Sequence, residues 1–138
     1  MKTALTVGVF DLFHYGHLAL FCRAKELVGK DGKLIVAIQE DSVVQKYKPN
    51  TVLIYPYEVR KRMIENLRVV DKVISYQDVD TIVEKVKFDI FIVGGDQKHA
   101  GFLKAMDYCR KNGIEVVQLS RTEGISTSEL KERIKSLK

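Results

Sequence analysis

Two histidines, His14 and His17, flank Gly16 in the stretch Gly8-Val9-Phe10-Asp11-Leu12-Phe13-His14-Tyr15-Gly16-His17. Side chains of that type at that spacing can present two imidazole N–H groups to one anion. Positions three apart share one face of a helical turn, and a residue without a side chain between them lets a phosphate approach the backbone. The run Ala4 to Val9 is short, apolar and β-branched and breaks at Phe10-Asp11, whereas Leu18, Leu20, Phe21, Ala24 and Leu27 recur at helical spacing. A strand therefore runs into a helix with the histidines at the junction. A helix that opens near Tyr15 aims its unpaired N–H groups and positive dipole end at the same place. Zinc is a poorer match, because Cys22 and Cys109 are far apart in sequence and nothing nearby completes a ligand set.

The elements that must position this junction follow from periodicity. Further strands are read at Leu34 to Ile38, Val69 to Ser75, Ile90 to Gly94 and Ile114 to Leu119, and helices at Gly16 to Val28, Pro56 to Leu67, Val79 to Val86, Ala100 to Asn112 and Thr127 to Leu137. Pro56 suits a first helical turn, Gly113 a helix stop, and Ser126 with Glu129 a capping box. Asp41 to Tyr55 has no clear period and reads as a loop over the active edge. Strands alternating with helices predict a parallel sheet covered on both faces, with ligands outside the carboxyl ends of the strands.

With 138 residues, 46% hydrophobic and 30% charged, the chain fits one core and one domain, residues 1–138. No apolar stretch reaches the length of a membrane span and the N-terminus lacks signal-peptide character, so no membrane insertion and a cytoplasmic location are expected. Two cysteines make no disulfide framework; Cys22 falls on the apolar face of the first helix and Cys109 reads as a second packed thiol. The formal charge of +5 suits anionic partners. The basic residues are scattered along helices without interleaved aromatics, which argues against nucleic acid.

His14-Tyr15-Gly16-His17 resembles the signature of the HxGH nucleotidyltransferase superfamily. Arg121-Thr122-Glu123-Gly124-Ile125-Ser126-Thr127-Ser128 resembles the second signature of its cytidylyltransferase branch. The resemblance covers nearly the whole chain and implies one Rossmann-like three-layer α/β/α domain with a five-stranded parallel sheet. It also implies a magnesium-dependent transfer from CTP to a small alcohol phosphate, with glycerol 3-phosphate the leading acceptor, and a homodimer.

By that resemblance His14, His17, Lys46 and Arg121 carry the chemistry. Gly8, Val9, Phe10, Asp11, Gly16, Lys48, Asp96, Arg121, Thr122, Ile125, Ser126 and Thr127 line the nucleotide site, and Lys46, Arg60 and Arg68 meet the acceptor. Several roles stay open at this point. Asp11 could orient the first turn, help hold magnesium or cap the helix, and no metal ligand set is assigned. Asp96 could accept from the base or position a basic side chain. Arg60 and Arg68 could hold the acceptor phosphate or brace the site through carboxylates, and Lys46 and Lys48 are otherwise two solvated lysines. His99 reads as a helix-start residue.

The sequence departs from the glycerol-phosphate branch where that branch carries tryptophan and lysine after the third strand; here the chain reads Tyr76-Gln77-Asp78-Val79-Asp80 and has no tryptophan. Phosphoethanolamine, phosphocholine or another alditol phosphate are therefore alternative acceptors. Adenylyl transfer, as in FAD synthesis, and a catalytically silent nucleotide-binding module are the further alternatives.

Overall fold

Six helices and five strands follow one another in a computed structural model that describes residues 1–50, 52–95 and 99–137. The strands are β1 (Thr3–Gly8), β2 (Lys33–Gln39), β3 (Lys72–Tyr76), β4 (Ile90–Gly94) and β5 (Glu115–Leu119). The helices are α1 (Tyr15–Val28), α2 (Asp41–Tyr47), α3 (Tyr57–Glu65), α4 (Val79–Lys85), α5 (Ala100–Lys111) and α6 (Thr127–Lys135). The strands form one sheet in the order β3-β2-β1-β4-β5, and every neighbouring pair is parallel.

Alternate strand residues face opposite sides, and each side is covered. Ala4, Leu34, Val36, Ile38, Ile90 and Ile92 pack with Phe21 and Ala24 of α1 and Ile64 of α3. Leu5, Val7, Ala37, Phe91 and Val93 pack with Val79 and Val83 of α4 and Ala105, Met106 and Cys109 of α5. Burial on both faces explains why β1 and β4 read as continuous apolar runs rather than as alternating patterns. The expected α/β three-layer, Rossmann-like fold with a five-stranded parallel sheet is the one observed.

This strand order puts a switch point between β1 and β4. The chain leaves β1 toward β2 and β3 on one side and returns through β4 to β5 on the other, so a crevice opens at the carboxyl ends of β1 and β4. Gly8 and Gly94 end those strands.

Most element boundaries fall within one or two residues of the sequence reading, with two differences. Residues 41–47, read as loop, form α2, a short helix whose only buried residue is Val44. β3 begins at Lys72 rather than Val69: Val69 and Val70 join the core from the preceding turn. Asp71 is then held across the strand end, its carboxylate accepting from Leu34 N at 2.8 Å and Lys25 Nζ at 2.7 Å. Gly113 adopts a φ of 73° at the end of α5, as its stop role requires. Cys109 is buried, which raises its thiol pKa to about 11, and Cys22 is half-buried. Among the described residues no helix is long and apolar enough to cross a membrane.

Candidate active site

The polypeptide leaving β1 bends sharply. Phe10 and Leu12 both take positive φ, 55° and 46°, a conformation that costs roughly 1–3 kcal/mol at each non-glycine position. Asp11, between them, supplies the restraint. It is 4% exposed, and its carboxylate accepts from Leu12 N at 3.0 Å, Ile54 N at 2.7 Å and Tyr55 N at 3.0 Å. Its carbonyl accepts from Thr127 Oγ1 at 3.0 Å. The Phe10 ring folds back over Gly8, where a Cβ would lie 2.8 Å from it, and meets His17 and Phe21 edge-on.

This bend delivers the chain to the start of α1, where the two histidines cap the helix together. His14 is the N-cap and its Nδ1 accepts from Gly16 N at 3.0 Å; His14 N in turn donates to His17 Nδ1 at 3.3 Å. The rings stack with centroids 3.7 Å apart. Each Nδ1 serves as an acceptor, so in the neutral ring the proton sits on Nε2. Burial lowers the His14 pKa, and burial together with the charge of His14 lowers that of His17 to about 3. Near neutral pH the pair is thus uncharged, with two Nε2–H donors in fixed tautomers. Asp11 is not the helix cap.

The second motif closes on this pair. Ile125 Cγ2 lies 3.5 Å from where a Cβ on Gly16 would stand, and the same Cβ would clash with the His14 ring at 2.8 Å. Gly16 is therefore required by packing as well as by any approaching ligand. Ser126 caps α6, its Oγ accepting from Glu129 N at 3.1 Å, and Thr127 ties α6 to Asp11. Arg121 is exposed and its side chain lies over Gly95, which has a φ of 71° and whose Cβ would stand 2.6 Å from Arg121 Nε. Thr122 is half-buried in the same segment. The structure thus gathers His14, Gly16, His17, Arg121, Ile125, Ser126 and Thr127 around the switch point. Asp96 lies outside the described residues.

Of the two roles open to Arg60, acceptor contact or brace, the contacts within the chain are those of a brace. Its side chain is fully buried and donates to Tyr55 O at 3.1 Å, Val9 O at 2.7 Å and the Asp41 carboxylate. A guanidinium enclosed in this way braces the motif loop, by a carboxylate and two carbonyls. Arg68 is exposed on the turn before β3, at the amino-terminal edge of the sheet, and so lies at the opposite end from His14 and His17. An acceptor contact from Arg68 within one chain has no geometric support. Lys46 ends α2 together with Tyr47, and Lys48 follows it; both lysines are exposed.

Asp11 does not fit a magnesium ligand, because its carboxylate accepts three backbone N–H groups. Among the described residues no group of three or more His, Cys, Asp or Glu is arranged to hold a metal ion. Sequence reading missed Asp41, whose carboxylate receives Tyr57 N at 3.2 Å and Arg60, and the role of residues 54–55. Those partners lie 16 to 44 residues away from their acceptors, so no local signal could reveal them. His99 caps α5 through Gly101 N, the same His-x-Gly cap as at His14.

The cytidylyltransferase-like family model matches residues 5–133. The chain is 41% identical over 139 residues to a glycerol-3-phosphate cytidylyltransferase of Staphylococcus aureus (strain NCTC 8325 / PS 47), covering 97% of this chain and 96% of that one. It is 30% identical over 135 residues to an FAD synthase of Korarchaeum cryptofilum (strain OPF8), covering 96% and 91%. Among solved structures, the lipopolysaccharide core biosynthesis protein from Thermoplasma volcanium GSS1 superposes with a TM-score of 0.68 at 30% identity, over 88% of this chain and 97% of that one.

Proposed function

The chain belongs to the cytidylyltransferase-like family, and on that premise we propose that it joins CTP to a small alcohol phosphate, with glycerol 3-phosphate the leading acceptor. An acceptor phosphate oxygen attacks the α-phosphorus, the new P–O bond forms as the bond to the bridging oxygen breaks, and pyrophosphate leaves. Charge accumulates on the bridging and non-bridging oxygens, so positioned donors supply most of the acceleration.

The observation that carries this reading is the mutually capped histidine pair with its two Nε2–H groups. In this role His14 and His17 donate to phosphate oxygens without exchanging a proton, Arg121 and Lys46 add cationic charge, and Lys48, Thr122, Ile125, Ser126 and Thr127 hold the nucleotide. Magnesium would be held in large part by the triphosphate oxygens, where it would neutralise the charge that builds up. A homodimer and a cytoplasmic location complete the proposal.

Incubation with CTP, magnesium and glycerol 3-phosphate should yield CDP-glycerol and pyrophosphate by mass spectrometry. A product only with phosphoethanolamine, phosphocholine or ribitol 5-phosphate would reassign the acceptor. The FAD synthase relative supports a second reading, adenylyl transfer, which predicts turnover with ATP instead. Tight CTP binding without any pyrophosphate would indicate a silent binding module.

A further inference from the structure

Helix α2 carries Lys46 on an element with little hold of its own. It has seven residues and one buried side chain, Val44, and a helix this short is not stable without tertiary contacts. Its first turn is anchored: Glu40 N donates to Tyr76 O at 3.1 Å, and Asp41 receives Tyr57 N and Arg60. Residues 45–50, at its far end, are all exposed. That end is held by Tyr47. The Tyr47 hydroxyl donates to the Asp78 carboxylate, at the turn after β3, and the Tyr47 ring meets His99, at the start of α5 after β4, edge-on with centroids 6.0 Å apart. One phenol therefore joins the segments that leave the carboxyl ends of β2, β3 and β4, and the ammonium of Lys46 lies 5.6 Å from its ring centroid.

We infer that Tyr47 is a positioning residue: its bond to Asp78 and its contact with His99 pin the outer end of α2 and thereby set where Lys46 stands over the active edge. The inference rests on the transfer reading for the role of Lys46. The pin lies at the surface, outside both hydrophobic cores, so releasing it should loosen α2 without unfolding the protein. Lys46, on a flexible stem, gains most from a fixed base because less freedom is then lost at the transition state.

Tyr47→Phe keeps the ring and removes the hydroxyl; Asp78→Ala removes the acceptor, and Asp78→Asn retains a carbonyl oxygen that can accept. In full-length protein, Tyr47→Phe and Asp78→Ala should speed amide hydrogen exchange at residues 44–48, leave the melting temperature within about 2 °C, and lower kcat roughly tenfold with the KM for CTP little changed. Asp78→Asn should restore most of the loss. In a Lys46→Ala background, measured by single turnover, Tyr47→Phe should have no further effect. Unchanged exchange at residues 44–48, or a Tyr47→Phe loss that persists in full without Lys46, would overturn the inference. If the wild-type chain releases no pyrophosphate from CTP, the transfer reading fails, while the exchange measurement still decides whether Tyr47 pins the helix.

Discussion

The imidazoles of His14 and His17 stack 3.7 Å apart and share one helix cap, with His14 Nδ1 accepting from Gly16 N and His17 Nδ1 accepting from His14 N. The cap does more than satisfy two amides that helix geometry leaves unpaired. It uses the nitrogen of each ring that would otherwise compete for the proton, and so leaves both Nε2–H groups as donors for an anion. Stability is drawn from one side of each ring, and the proposed chemistry would be drawn from the other.

That division can be separated by substitution. Asparagine offers a side-chain oxygen in place of Nδ1 but no equivalent of Nε2–H, so His14→Asn should melt within about 2 °C of wild type, whereas His14→Ala should lose about 1 kcal/mol of stability. Both should lower pyrophosphate release at least about 100-fold. A His14→Asn enzyme with near-normal turnover would show that His14 serves the helix alone.

The buried imidazole also sets a pH dependence. The folded-state pKa of His17, about 3, lies below the ordinary 6.5, so the folded protein resists a proton that the unfolded chain accepts. Its contribution to stability is complete above pH 6.5 and is lost as the pH falls from there toward 3. At pH 5 the loss should be about 2 kcal/mol relative to neutral pH, read as a lower urea midpoint. Nitrogen-15 spectra should show His17 as the neutral Nε2–H tautomer down to about pH 5. Titration of His17 near 6.5 would contradict this geometry.

Asp11 and Arg60 hold the bend that presents the pair. Asp11→Asn removes an acceptor and points an amide N–H₂ toward backbone donors, at a cost of about 2–3 kcal/mol. Urea denaturation should detect that loss, and the KM for CTP should rise as Phe10 and Leu12 relax from positive φ. Unchanged stability would mean that the bend is held by something other than the Asp11 contacts with Ile54 and Tyr55.

Gly95 provides the space that Arg121 occupies. Gly95→Ala places a methyl group at 2.6 Å from Arg121 Nε on a backbone with φ of 71°, so it should cost about 1 kcal/mol and lower turnover roughly tenfold by displacing the guanidinium. In an Arg121→Ala background the turnover penalty should disappear. Persistence of the penalty would show that Gly95 acts on something other than Arg121.

The sheet and most helices were legible because β1, β4, α1 and α5 carry strong apolar periodicity. The junction was legible because Gly16 and the histidines occupy adjacent local positions. α2 was not, since Val44 alone gives no period. The placement of Arg60 was hidden too: its partners Val9 and Asp41 lie 51 and 19 residues away, and an arginine at helical spacing looks the same whether it faces a phosphate or a carbonyl. The conflict between a strand read from Val69 and one that starts at Lys72 has a similar origin, because Val69 and Val70 are apolar for packing rather than for pairing. The pairing of Gly95 with Arg121 was hidden as well, because only the fold brings that side chain over the glycine.

Cytidylyl transfer is the central claim, and magnesium-dependent pyrophosphate release tests it most directly, measured with CTP, ATP, GTP and UTP against glycerol 3-phosphate, with His17→Ala as the control. Release with CTP that far exceeds release with the other three nucleotides, and its loss in His17→Ala, is the predicted result. Release with ATP in preference to CTP, or release that survives His17→Ala undiminished, would contradict it.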